Sequence, residues 1–107
     1  MATIVREPQD PAVAALKRVL DEYEQAHRGA VASLYRQNSA SVRIRIIDDR
    51  FANMSKSQRH DLVWDYLSAR LADDTLQEIS VLLLLSPKEL ASSLMNMEFD
   101  HPLPSDF

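Results

Sequence analysis

The chain has 107 residues, 46% of them hydrophobic, with 12 Lys and Arg against 16 Asp and Glu, a single Gly and no Cys. This composition describes one globular domain able to bury a core unaided, and it removes thiolate catalysis, Cys-ligated zinc and all-Cys iron–sulfur clusters from consideration. The longest apolar run, residues 81–85, is too short to cross a bilayer, and the opening MATIVREPQDP lacks a signal-peptide layout, so a soluble cytoplasmic protein is expected.

Residues 1–10 are polar and broken by Pro8, and a flexible N-terminus is predicted. Asp10 followed by Pro11 reads as an N-cap with proline at the first helical position. Ala12, Leu16, Val19, Leu20 and Tyr23 then recur at helical spacing, and His27, Arg28 and Gly29 supply the cations and the left-handed cap that end a helix. Residues 30–36 are weakly β-prone and 37–41 form a turn cluster. Residues 41–48 alternate, with Val42, Ile44 and Ile46 on one face and Arg43 and Arg45 on the other. Two antiparallel strands are predicted.

Ser55 with Gln58 is a capping box, opening a helix whose face carries Leu62, Val63, Tyr66 and Leu67 to about residue 71. A polar break at 72–75 and a short turn at 76–78 lead into a strand at 79–85, apolar on both sides. Ser86-Pro87-Lys88-Glu89 starts a last helix that should send Leu90, Leu94 and Met97 toward the core, and residues 96–107 are an acidic tail. The second strand, its helix and the third strand make a right-handed crossover. The prediction is therefore one α+β domain over residues 11–95, ordered α-β-β-α-turn-β-α, with a three-stranded mixed sheet and helices on one face.

One helix layer leaves the other sheet face uncovered. Val81, Leu83 and Leu85 lie there with Ile47, a patch that points to a partner protein or a homodimer; the alternative is a tail folding back with Phe99, Leu103 and Phe107. Residues 28–59 hold seven cations against Asp48 and Asp49. Arg43 and Arg45, joined by Arg36, would line the wet strand face and suit phosphate or acidic peptide. With Arg50 and Arg59 they form the alternative reading, a nucleic-acid-binding regulator, although interleaved aromatics for base stacking are lacking.

His60, between Arg59 and Asp61, has the residue types of a proton shuttle, and Asp48–Asp49 and Asp73–Asp74 those of half a carboxylate site. None is completed by a second cluster. His27 reads as a helix-end partner, and His101 stands alone in the tail. With no nucleophile elbow, phosphate loop or zinc motif, no catalytic constellation is present and an enzyme is not expected.

The segment DRFANMSKSQRHDLVWDYL, residues 49–67, resembles the BolA family: Phe51, Ser55, Arg59, His60, Val63, Trp64 and Leu67 fall in register with its R-F and R-H-x-x-V-aromatic-x-x-L pattern. Leu82 to Leu85 followed by Ser86-Pro87-Lys88-Glu89 is similar to that family's last strand and helix start, and the similarity extends over about residues 12–95. It implies a class II KH-like α-β-β-α-α-β fold, monothiol glutaredoxin partners, a shared [2Fe–2S] cluster and a role in transcription regulation. The family's cluster-ligating His falls at Glu78 and its first-loop ligand near Asn38, positions that hold neither His nor Cys here. The expectation is a diverged, cofactor-free, non-catalytic interaction module. Its partner-binding candidates are Phe51, Arg59, His60, Trp64, Val81, Leu83 and Leu85.

Overall fold

The computed structural model describes residues 2–4, 10–93, 96, 97 and 99. Asp10 caps helix α1 (Pro11–Ala26) by accepting from the Val13 amide, and the helix buries Val13, Leu16, Val19, Leu20 and Tyr23. The stripe thus begins at Val13 rather than at Ala12. Gly29 follows at φ 89°, the left-handed conformation that only glycine adopts without strain, and turns the chain into the sheet.

Strands β2 (Val31–Asn38) and β3 (Ser41–Ile47) form the predicted antiparallel hairpin, pairing Leu34 with Ile44 and Tyr35 with Arg43. Ahead of them Thr3–Ile4 forms a short strand, β1, parallel to β2 and opposite Ser33 and Leu34. The mixed sheet therefore has four strands in the order β1-β2-β3-β4, not three, β4 being Ile79–Leu85. Part of the segment expected to be loose is ordered because Ala2 donates its amide to Asp21 of α1 and Ile4 packs on the core.

After β3 a 3₁₀ turn, η1 (Asp49–Asn53), is capped by Asp48, and helix α2 (Lys56–Ser68) opens with the complete Ser55/Gln58 capping box. Its buried stripe is Arg59, Val63 and Leu67, whereas Leu62 is exposed. A one-turn helix, α3 (Asp73–Gln77), replaces the expected polar break and buries Leu76. β4 then runs parallel to β3, with Ile46 opposite Leu84 and Ile47 opposite Leu85. The chain leaves it through a second 3₁₀ segment, η2 (Pro87–Ser92).

Residues of α1 and α2 share one core cluster with Leu34, Ile44, Ile46 and Leu84, which places both helices on the same sheet face. The opposite face is not bare. Phe99 sits on Tyr35, Leu83 and Leu85, with Val81 and Leu90 packed at the margin, while Met97 is 59% exposed and turned away from the core. Leu94, Leu103 and Phe107 lie outside the described residues. No helix among those described is long and apolar enough to cross a membrane.

Candidate partner-docking groove

β4 has β3 on one side, and among the described residues no strand pairs with its outer edge. Beside that edge the first turn of α2 and the η2 segment bound a groove of about 750 Å³ lined by Lys56, Arg59, His60, Leu82–Leu85 and Glu89. The crossover explains its position: α2 begins at the end of the sheet where β4 finishes and η2 begins.

Arg59 organises the groove floor. Its guanidinium donates to the Leu84 carbonyl at 3.0 Å and to the Met54 carbonyl at 3.1 Å, and it pairs with Glu89 at 2.8 Å. It also lies 5.8 Å from the centre of the Phe51 ring, which is fully buried beneath it. Glu89 accepts from the Ser86 amide at 2.8 Å and the Ser86 hydroxyl at 2.7 Å. These Ser86 bonds, with Arg59 behind them, bring its carboxyl down to about 2. A charged side chain is tolerated at the core edge because two carbonyls and a carboxylate are built in around it.

The rim is different in character. His60 is exposed and stacks on Trp64 at 5.8 Å between ring centres with a 12° tilt, and Lys56 and Ser57 are exposed beside it. Of the residues singled out from the sequence, Arg59, His60, Leu83 and Leu85 line the groove. Trp64 flanks it by way of His60, Phe51 is core under it, and Val81 packs with the Tyr35–Phe99 cluster. Lys56 and Glu89 were not singled out; the capping boxes that place them were legible, but their convergence depends on a contact between helices far apart in sequence.

The arginines do not form one ladder. Arg36 lies opposite Val42 on the helix-bearing face, where it pairs with Asp10 and with Glu78, the latter at 2.8 Å. It therefore does not join Arg43 and Arg45, because strand alternation sends its side chain to the other side of the sheet. Arg43 donates to the Tyr35 hydroxyl at 3.2 Å. Arg45 donates to Asn96 at 2.8 Å and lies 4.7 Å over the Phe99 ring. Arg50 donates to the Tyr23 hydroxyl and pairs with Asp48, and Arg59 is buried.

The remaining polar candidates take structural posts. Asp48 caps η1 and accepts from the Tyr23 hydroxyl at 2.9 Å, Asp73 and Asp74 lie in the first turn of α3, and His27 caps α1 against the Tyr23 carbonyl. Glu78 is held by Arg36, and the Asn38 side chain accepts from the Ala40 amide. This donor set, one engaged carboxylate and one amide, does not fit an iron–sulfur cluster, whose irons take thiolate or imidazole. No cluster of three or more metal-ligating side chains occurs among the described residues. Compared with protein-family models, with curated proteins and with solved structures, the chain finds no match in any of the three.

Proposed function

We propose that this chain is a non-catalytic protein-interaction module that docks its partner in the groove between α2, the β4 edge and η2. The observation that carries the reading is the contrast within the groove: a fixed floor of Arg59, Glu89 and Leu84, and an exposed rim of Lys56, Ser57 and His60. Pre-ordered floors with polar rims are how binding sites limit the entropy lost on association. The order α1-β2-β3-α2-α3-β4 supports the BolA-like, class II KH-like reading of the sequence, and that resemblance makes a monothiol glutaredoxin the first partner to test. Engagement of Glu78 by Arg36 favours docking without a shared cluster. The nucleic-acid alternative is less favoured, since its arginines are divided between two sheet faces and several partners.

The test is a titration of isotope-labelled protein with a monothiol glutaredoxin, cluster-free and cluster-loaded, followed by amide NMR and visible circular dichroism. Shifts at Lys56, His60 and residues 82–85 with both forms, and an unchanged cluster spectrum, are expected. A complex that shifts the Arg43 and Arg45 face instead, or no complex and a stable homodimer by light scattering, would overturn the docking reading. A perturbed cluster spectrum abolished by Glu78→Ala would restore a ligand role for that residue.

A further inference from the structure

We propose that the β4 edge receives its partner as an added strand: an extended acidic segment that hydrogen-bonds to the main chain at Leu82 and Leu84 and sets a carboxylate against Lys56. This rests on the docking reading above and specifies how the groove is filled. Over residues 81–85 the pairing with β3 runs without a register shift, so the direction of the peptide groups alternates strictly. The Leu85 carbonyl accepts from the Asp48 amide at 3.0 Å, on the β3 side. The Leu84 carbonyl accepts from Arg59, on the outer side. The amide groups of Leu82 and Leu84 and the Leu82 carbonyl therefore face the groove, the Leu84 carbonyl being already bonded to Arg59, and a strand laid along it meets main-chain partners at those three positions.

Sheet edges are normally blunted by lysine, proline, glycine bulges or short length. At the other edge, β1 spans Thr3–Ile4 among the described residues. β4 is seven residues long, ISVLLLL, with no charge, proline or glycine, and its single register irregularity lies at its start, away from the groove. An edge without these devices, paired with no strand and beside a formed groove, matches the known logic of strand addition, in which main-chain bonds supply affinity and flanking side chains supply selectivity.

Charge selects the occupant. In the groove Arg59 and Glu89 neutralise one another and Glu89 is further taken up by Ser86, which leaves Lys56 as the net charge, with His60 beside it. A basic or neutral segment gains nothing there; a carboxylate does. A second copy of this chain is the poorer occupant. The large exposed hydrophobic residues among those described are Val31, Leu62 and Met97, none of which lines the groove, so paired β4 edges would lack the apolar flank that a stable dimer requires.

The experiment titrates the labelled protein with three blocked peptides: alternating valine and glutamate, alternating valine and lysine, and the acidic peptide N-methylated at alternate amides. The acidic peptide should shift and protect the Leu82 and Leu84 amides, and the other two should bind at least about tenfold more weakly. Lys56→Glu should reverse the preference between the acidic and basic peptides. Leu82→Pro, which removes an outward amide and leaves the β3 ladder intact, should abolish binding; if that variant does not fold, the N-methylated peptide tests the same bond. Equal binding of acidic and basic peptides, or of methylated and unmethylated ones, overturns the proposal. If glutaredoxin shifts the groove but no peptide binds, strand addition falls and docking stands; if neither binds, both fall. Dimerisation through β4 in light scattering overturns the choice of occupant.

Discussion

Arg59 and Glu89, thirty positions apart in the chain, meet at 2.8 Å, and the same guanidinium nitrogen reaches the Leu84 carbonyl. One side chain thereby ties the start of α2 to both the last strand and the segment that follows it. Replacing Arg59 by Ala leaves the Leu84 and Met54 carbonyls without their donor at a buried position, and about 2–3 kcal/mol of stability should be lost. Urea unfolding with an unchanged m-value checks this, and Arg59→Lys should fall between wild type and Ala because an ammonium cannot reproduce the planar fork.

Acid should act through the other partner. The Glu89 carboxyl is held near 2 against an ordinary value of 4.5, first by the Ser86 amide and hydroxyl and then by Arg59. Its folded value lies below its unfolded one, so the stabilisation is complete above about 4.5 and is lost as pH falls toward about 2. Urea midpoints of wild type and Glu89→Gln, compared across that window, should converge as the pH drops; a constant difference would contradict the ion-pair account.

At the alkaline end the relevant group is Tyr23, whose hydroxyl donates to Asp48 at 2.9 Å. Burial first, with the Asp48 contact adding to it, pushes the phenol from 10 up to about 12. The folded value is above the unfolded one, so the stabilisation is present below about 10 and disappears as pH rises to about 12. Tyr23→Phe should cost about 1 kcal/mol at neutral pH through the lost hydrogen bond and should show a shallower alkaline decline in thermal stability than wild type.

Phe99 packs edge-on against Tyr35 at 4.9 Å between ring centres and covers Leu83 and Leu85. Phe99→Ala should cost about 3 kcal/mol and uncover an apolar patch on the helix-free face. Concentration-dependent association in light scattering is the expected companion of the lower unfolding midpoint.

Where residues announced themselves through local chemistry, the sequence was easy to read. The Asp10-Pro11 and Ser55–Gln58 caps, the alternation of residues 41–47 and the apolar run at 79–85 each express a short-range rule, and each element stands where that rule puts it. The failures are long-range. Arg59 is buried, and its acceptors come from β4 and η2, which no local pattern names. Thr3 and Ile4 form a strand only because Ser33 and Leu34 are there to pair with them. For the cover over Leu83 and Leu85 the sequence offers two readings, a partner protein or a tail carrying Phe99, and the fold selects Phe99. For the candidate site, His60 and Arg59 were legible from their pattern, whereas Lys56 and the open strand edge came from topology.

The two pairings of β3 close loops of very different length. The β2–β3 hairpin closes through a turn at Ser39 and Ala40 and needs only neighbours in the chain, while β4 reaches β3 only after η1, α2 and α3 have carried the backbone over the sheet. Closing that longer loop carries the larger entropic cost. The groove, bounded by α2, β4 and η2, exists only where that longer closure is made, so whatever frees β4 from β3 dismantles it.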